Sequence, residues 1–328
     1  MASAVRVCLF DKAPWPRPQV GLLLGESVVD LEGAWRLAFD PSREVPRTVM
    51  SVVERHEEVY DGLSDIAYHF GSGVGRLTTL EQRLVYSAKD VRLRCPIEPA
   101  SLRDVPAFRS HVLAGLDAIG LKSHQARELS KFPAYYRGDA TTVVGPVDDV
   151  VAPSYADALD FEAEIAVVVS RTARDLSVAD AQRCVGGYLI FNDVSIRSRQ
   201  MEEMKTLIGP GKGKDFHTGN VLGPAVLIDP HLDLDALTFE VRVDGEAWAG
   251  GPVGKMEWSL AYIISHLSAG QFVRSGDVIG TGTFPKGCGL ELGRYPKFGS
   301  LVEIEVPPLG CISNRFVAPN QAPSDVRS

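Results

Sequence analysis

The sequence predicts an α+β protein that is rich in β-strands and has a small, mostly-β domain at its N-terminus. Three observations support this prediction. Short strand patterns recur along the chain, few helical patterns interrupt them, and a segment with two prolines separates the first third from the rest. Because helical patterns do not alternate regularly with strands, we expect a folded β-rich domain and not a βαβ array.

The first domain is predicted to span residues 1–95. Its elements are expected at residues 5–10, 21–24 and 27–31 as strands and at residues 47–60 as a helix. Pro96 and Pro99 then mark a linker, since prolines punctuate regular structure. The domain has no cluster of charged or catalytic side chains, which favours a structural role.

The second domain is predicted to span residues 96–320, and residues 321–328 are expected to form a disordered tail. Periodicity supports this prediction. Apolar and polar residues alternate as in strands at 159–169, 239–243 and 301–306, and apolar residues have helical spacing from 177 and over 260–267. Asp244-Gly245 after the second of these strands is typical of a hairpin turn.

Composition excludes several classes of function. The net charge of −8 and the pI near 5.4 provide no broad basic surface, so we expect neither nucleic acid nor a membrane as a partner. The five cysteines are scattered without a CxxC pair, which indicates a reduced, cytoplasmic protein. No apolar run has the length of a signal peptide or of a membrane span.

Acidic residues follow or interrupt apolar segments at two places. Glu162 and Glu164 stand two residues apart in a predicted strand and would face the same way, so a divalent cation would relieve their repulsion. The alternative is a solvated strand face. Asp193 ends an apolar segment, where a carboxylate is paired or metal-bound, or else caps a helix over residues 194–201.

Polar residues with binding potential come next along the chain. Arg197 and Gln200 are three residues apart and would share a helix face. The glycine-rich segment with Lys214 is not a phosphate-binding P-loop, because Asp215 follows the lysine where Ser or Thr is required. It is either a binding loop or a solvated one. Glycines between residues 280 and 289 allow close approach of a ligand or make tight turns.

Six short motifs follow one another along the chain: Leu159-Asp-Phe-Glu-Ala-Glu-Ile-Ala, Asn192-Asp-Val-Ser-Ile-Arg-Ser-Arg-Gln200, Gly213-Lys-Asp-Phe, Gly223-Pro, Gly280-Thr-Gly-Thr and Leu309-Gly-Cys-Ile-Ser-Asn314. Their order resembles that of the fumarylacetoacetate hydrolase family, and the resemblance covers residues 103–316. It implies a mixed β-sandwich roll as the fold of the large domain, and it implies a homodimer.

The resemblance also implies a metal site. Glu162, Glu164 and Asp193 would bind the ion, and Asp104 would be the fourth ligand. Oxygen ligands of this kind suit Mg²⁺, with Mn²⁺ or Ca²⁺ as alternatives. His111 stands seven residues after Asp104, as in the longer-chain branch of the family, and would be the general base.

Other catalytic and binding residues are implied in the same way. Glu291 would orient His111, and Lys214 would stabilise an oxyanion. The residues implied in substrate binding are Tyr136, Arg197, Gln200 and Thr281. Pro106 and Met204 stand where the family has tyrosines. We therefore expect a substrate that differs from fumarylacetoacetate at the end far from the metal.

The implied reaction is hydrolysis of a C–C bond in a 1,3-diketone or an acylpyruvate-type keto acid, because a His–Glu pair can activate water. The alternative is decarboxylation, isomerisation or dehydration of a 2-keto acid through a metal-bound enolate. A further alternative is a non-catalytic protein that binds an acid or a metal with the same fold.

Overall fold

A computed structural model describes residues 4–13, 17–118 and 131–319 of the chain. Its centre is a large mixed sheet, and its first elements all belong to the N-terminal part. In chain order these are β1 Val5–Asp11, β2 Gln19–Leu24, β3 Ser27–Asp30, α1 Leu31–Ala38, α2 Val49–Glu54, α3 His56–Gly71, α4 Thr79–Gln82, β4 Val85–Ser87 and β5 Arg92–Arg94.

The remaining elements are mostly strands, joined by short helices. The first group is β6 Ser101–Asp104, α5 Arg109–Ala118, β7 Tyr136–Gly138, β8 Val143–Val144, β9 Val150–Val151, β10 Ala163–Val169, β11 Ala173–Arg174, α6 Val178–Gln182 and β12 Val185–Asp193. The second group is α7 Arg197–Met204, α8 Gly211–Lys214, β13 Asn220–Ile228, β14 Thr238–Val243, β15 Glu246–Pro252, α9 Leu260–Ser268, β16 Phe272–Val273, β17 Asp277–Gly280, α10 Gly289–Leu292, β18 Leu301–Val306 and β19 Gly310–Val317.

Within the described residues, twelve strands form the large sheet in the order β4-β3-β2-β1-β13-β12-β10-β17-β6-β7, with β5 on β1 and β8 on β13. A second sheet has the order β15-β14-β18-β19-β9. Strand-rich α+β structure is therefore confirmed. No helix in the described parts of the chain is long and apolar enough to cross a membrane.

The large sheet is covered on both faces, which explains the apolar composition of its central strands. Strand β10 is buried over all seven residues. Its alternate side chains enter two cores: Ala163, Ile165, Val167 and Val169 pack toward the second sheet, whereas Ala166 and Val168 pack toward helices α1–α3. The order of layers is thus N-terminal helices, large sheet, small sheet.

Several sequence predictions are confirmed, and three differ from the structure in detail. The predicted strands 5–10, 21–24 and 27–31 correspond to β1, β2 and β3, and the helix predicted at 47–60 is split at Arg55 into α2 and α3. The strand expected from residue 159 begins at Ala163, after isolated bridges at Asp160 and Glu162. The helix from Ser177 ends at Gln182, because the following residues join the sheet as β12.

The N-terminal part shares the large sheet with the rest of the chain. Strand β1 pairs with β13 in antiparallel register, Val5 opposite Ile228 and Val7 opposite Val226. The boundary near residue 95 stays a prediction, and the tail at 321–328 lies outside the described residues.

Candidate active site

Three carboxylates from neighbouring strands converge at one end of the large sheet. Asp104 ends β6, Glu164 lies in β10 and Asp193 ends β12, and one carboxylate oxygen of each lies within 4.8 Å of those of the other two. Strand β17 runs between β6 and β10, and its last residue is Gly280. An added Cβ at Gly280 would overlap Asp104 Oδ1 and stand 3.0 Å from Glu164 Oε2. The glycine therefore lets carboxylates of two strands meet across a third.

These carboxylates are buried, and their environment disfavours the charged form. Burial, together with the neighbouring carboxylates, raises the pKa of Glu164 well above its ordinary value and raises that of Asp104. Burial also raises the pKa of Asp193 to about 7, although the Lys214 ammonium opposes this shift. The Gly282 amide donates to both Asp104 Oδ1 and Glu164 Oε2 at 3.1 Å. The Thr283 hydroxyl also donates to Glu164 Oε1 at 3.1 Å, but these donors are neutral and carry no charge to balance two carboxylates.

Glu162 has different partners from Glu164. Its Oε2 accepts a hydrogen bond from Lys214 Nζ, and its Oε1 lies 2.6 Å from Arg197 Nη1. Lys214 Nζ also donates to Asp193 Oδ2 at 2.6 Å, so the ammonium joins Glu162 to the carboxylate trio. Burial opposes ionisation of Glu162, but the cations Arg197 and Lys214 outweigh it and lower its pKa.

The structural alternatives considered for these positions, a solvated strand face, a helix cap and a solvated loop, are wrong. Glu162 and Glu164 are 3% and 0% exposed, so they do not form a solvated strand face. Asp193 ends β12, and helix α7 begins only at Arg197, so Asp193 does not cap a helix. Lys214 is 3% exposed at the end of the short helix α8, so its segment is not a solvated loop at that residue.

The residues around the trio fit a hard divalent cation. Asp193 Oδ1 is buried and has no hydrogen-bond partner in the described structure. Among the described residues of this network, two buried cations, Lys214 and Arg197, face five buried carboxylates: Asp104, Asp160, Glu162, Glu164 and Asp193. An excess of buried negative charge with an unpaired oxygen is unfavourable unless a cation neutralises it. Carboxylate oxygens are the donors that Mg²⁺, Mn²⁺ and Ca²⁺ prefer.

His111 and Glu291 form a pair beside this cluster. His111 in α5 places Nδ1 2.7 Å from Glu291 Oε1 in α10, although 180 residues separate them in sequence. The other ring nitrogen, Nε2, lies 3.9 Å from Glu162 Oε1. Burial opposes ionisation of Glu291, but the hydrogen bond with His111 prevails and lowers its pKa. Cys288 lies 3.9 Å from His111 Nδ1, and burial raises the pKa of its thiol, which keeps it neutral.

The predicted substrate-binding residues divide into two groups. The Tyr136 hydroxyl donates to Asp193 Oδ2, and Gln200 Oε1 accepts from Arg197 Nη1 at 2.9 Å, so both contact the charged network. The Thr281 hydroxyl instead donates to the backbone oxygen of Ile165 at 2.9 Å. Its side chain therefore supports β10 in this structure.

Sequence reasoning missed Asp160, which is 1% exposed. Its Oδ1 accepts from the Gly289 amide at 2.7 Å, and its Oδ2 accepts from the Leu290 amide at 3.0 Å and from Arg197 Nε at 2.7 Å. Asp160 thus ties α10, which carries Glu291, to Arg197. The available signal was a carboxylate in an alternating strand pattern, which is too common to single out.

Comparison with known proteins agrees with this arrangement. The model of the fumarylacetoacetate hydrolase C-terminal domain matches residues 105–317. A relative from Homo sapiens, "oxaloacetate tautomerase FAHD2A, mitochondrial", is 30% identical over 314 residues, 92% of this chain and 88% of its own length. The chain is an enzyme of the fumarylacetoacetate hydrolase family.

Two further comparisons define the relationship more narrowly. "Oxaloacetate tautomerase YisK" of Bacillus subtilis is 28% identical over 306 residues, which are 90% of this chain and 95% of that protein. A solved structure of a probable 2-hydroxyhepta-2,4-diene-1,7-dioate isomerase from Mycobacterium abscessus has a TM-score of 0.68 at 22% identity, covering 95% and 98% of the two chains. At that identity the solved structure shows the shared fold. These proteins are named as tautomerases and an isomerase, so they do not support the predicted C–C hydrolysis over its alternative.

Proposed function

We propose that this enzyme interconverts the keto and enol forms of oxaloacetate or a closely related 2-oxo dicarboxylic acid, with a divalent cation and with His111 as the proton carrier. The observation that carries the proposal is His111, which Glu291 orients at 2.7 Å and whose Nε2 is directed at the carboxylate cluster. Two relatives, which this chain matches over at least 88% of their length, are named as oxaloacetate tautomerases, and these names support the same substrate class.

Asp104, Glu162, Glu164 and Asp193 would hold the cation, for which we propose Mg²⁺. The cation would supply positive charge at the place where the enolate's negative charge develops. Lys214 supplies a second positive charge at the same place, because its Nζ contacts Glu162 and Asp193. A charged donor that faces the developing oxyanion lowers the free energy of the transition state.

Among the described residues at the cluster that are not proposed to hold the cation, His111 is the group suited to proton transfer. Burial alone would lower the pKa of Lys214, but Asp193 and Glu162 hold it above its ordinary value, so Lys214 stays charged and does not accept protons. Burial and the charge of Asp193 raise the pKa of Tyr136, which stays neutral. His111 donates Nδ1–H to the Glu291 carboxylate, and this tautomer leaves Nε2 free to accept a proton.

The proton balance of the reaction requires only this residue and the substrate. In the keto-to-enol direction His111 Nε2 takes a proton from the carbon next to the keto group and then gives that proton to the keto oxygen, which restores the neutral ring. In the reverse direction His111 Nε2 takes the proton of the enol oxygen and gives it to the carbon. The imidazolium formed between these steps is flanked by Glu291 and Glu162, which stabilise its charge.

Hydrolysis of a C–C bond in an acylpyruvate or 1,3-diketone is the second candidate. The observation that favours it is the same His111–Glu291 pair, because a base oriented by a carboxylate can remove a proton from water. Hydrolysis would add water and release two products, whereas tautomerisation keeps the mass unchanged. The expected homodimer and cytoplasmic location stay predictions.

One assay panel distinguishes the two candidates. Enol oxaloacetate, an acylpyruvate and a β-diketone are each mixed with the enzyme and Mg²⁺, with and without EDTA, and the loss of enol absorbance and the product masses are followed. We expect faster loss of the oxaloacetate enol at unchanged mass, abolished by EDTA. Two carbon fragments from the acylpyruvate or the diketone would establish hydrolysis instead, and unaccelerated decay of every substrate would contradict both candidates.

A further inference from the structure

A second cavity, of about 360 Å³, lies between the N-terminal helix α3 and the beginning of β12. From the N-terminal part it is lined by His56, Glu57, Tyr60 and Asp61, and from the rest of the chain chiefly by the segment 182–188 and by Ile228, Asp229 and Pro230. Strand β12 begins at this cavity, whose lining it leaves after Tyr188, and Asp193 lies five residues further on, about 16 Å along the strand. The cavity is thus separate from the carboxylate cluster.

Two polar side chains more than nine-tenths buried line this cavity with unused hydrogen-bonding atoms. Tyr188 is 6% exposed, and no residue in the described ranges hydrogen-bonds its hydroxyl. His56 is 8% exposed, and its Nδ1 lies 2.9 Å from the backbone oxygen of Val53. A carbonyl only accepts, so Nδ1 carries the hydrogen of this bond and Nε2 has no partner in the described structure.

Negative charge remains at the edge of the cavity once the ion pairs there are counted. Arg183 lies 2.5 Å from Asp180, and Glu57 lies 3.5 Å from Arg171, so these side chains are already neutralised. Asp61 and Asp229 form no ion pair in the described structure.

The lining therefore offers acceptors and uncompensated negative charge above an apolar floor. The apolar part includes Val185 and Ile228, both buried, and the acceptors belong to Tyr188 and Asp229, whose Oδ1 also accepts from the His231 amide at 2.9 Å. A ligand that satisfies this set must donate several hydrogen bonds, carry positive charge and have an apolar portion. Metal ions fit less well, because the acidic and histidine atoms that come close enough to share an ion all lie in or beside the active site, as far as the described residues extend.

We propose that this cavity binds a small organic cation with an ammonium or guanidinium group and an apolar stem. The charged group lies between Asp229 and Asp61 and donates to the Tyr188 hydroxyl, while the stem packs against Val185 and Ile228. Such a ligand would bridge the N-terminal part and the large sheet. This assigns the N-terminal part a binding role in addition to its structural one.

Isothermal titration calorimetry on the full chain at saturating Mg²⁺ tests the proposal. The probes are n-butylammonium, putrescine and agmatine, with n-butyrate as a matched anion. We expect one site per chain for at least one cation and no binding of butyrate. Loss of one charged hydrogen bond in Asp229→Asn should weaken the affinity about tenfold or more, and Asp229→Lys should abolish binding because it supplies its own ammonium.

Asp235→Asn is the matched control, since Asp235 is exposed and does not line the cavity. Tyr188→Phe should weaken binding without changing the fold, and a thermal unfolding curve checks this for every variant. Turnover at the carboxylate site should be the same in Asp229→Asn as in the parent chain. The proposal is overturned if no cation binds at millimolar concentration, or if Asp229→Asn and Asp235→Asn bind the probes equally.

Discussion

His111 and Glu291 are the residues on which the proposed proton transfer depends. They come from two short helices, and their contact at 2.7 Å is the link between the carboxylate cluster and a group that can accept a proton. Family resemblance identified both residues and their pairing. The pattern of the sequence alone did not, because a lone histidine and a lone glutamate 180 residues apart have no periodic relation.

The first prediction concerns His111. His111→Ala should lower turnover by about 10²–10⁴-fold, the usual contribution of a general acid–base group. Mg²⁺ affinity should be nearly unchanged, because the carboxylates that would hold the ion are intact. His231→Ala, at an exposed histidine, is the control. A loss of Mg²⁺ affinity as large as the loss of turnover would contradict this division of roles.

A second residue-scale prediction concerns Asp160. Asp160→Asn replaces an acceptor of three hydrogen bonds by an amide whose NH₂ group faces donors. Breaking a buried ion pair in this way should destabilise the protein by about 3–5 kcal/mol. Turnover should also fall, because α10 then no longer fixes Glu291. Urea unfolding and kcat are measured beside the exposed control Asp233→Asn, and a variant with parental stability and kcat would remove Asp160 from the network.

At the scale of elements, the position of a strand end decides which carboxylates meet. Alternation predicted that Glu162 and Glu164 project side by side, but β10 begins at Ala163. Glu162 therefore lies outside the strand and contacts Lys214 and Arg197, whereas Glu164 lies beside Asp104 and Asp193. The pattern could not locate this boundary, because both residues alternate equally well. Likewise, Val185 and Tyr188 continue the helical spacing that begins at Ser177, but both residues pair with β10 in the sheet.

The third prediction tests the close approach of the Asp104 and Glu164 carboxylates to each other across Gly280. Gly280→Ala should weaken Mg²⁺ binding about tenfold or more, because a methyl group there overlaps Asp104 and crowds Glu164. Gly71→Ala is the matched control, since an added Cβ at Gly71 meets no other atom within 4 Å. Calorimetric titration with Mg²⁺ measures the effect. Equal affinities of the two variants would show that the close approach at Gly280 is not required.

At the scale of the whole molecule, the layered fold buries one end of the large sheet and thereby sets the electrostatics of the site. The α+β class could be predicted, because strand periodicity is visible in short segments of the sequence. The order of the short motifs indicated the family. The pairing of β1 with β13 was not predictable, since it joins segments more than 200 residues apart and depends on tertiary packing.

The buried carboxylates make metal affinity depend on pH, which is the fourth prediction. Burial raises the pKa values of Asp104 and Glu164, and that of Asp193 to about 7, so at lower pH protons occupy the oxygens that the ion needs. Mg²⁺ affinity should therefore rise with pH from 6 to 8, and binding should release protons. Titrations in buffers of different ionisation enthalpy measure the release. A pH-independent affinity without proton release would contradict the account.

The most direct test is the exchange of the hydrogens on the carbon next to the keto group of oxaloacetate, followed by NMR in D₂O. With Mg²⁺, the parent enzyme should exchange them faster than buffer alone, and both EDTA and His111→Ala should remove the acceleration. Exchange that continues unchanged in His111→Ala, or that never exceeds the buffer rate in the parent enzyme, would contradict proton transfer by His111 at this site.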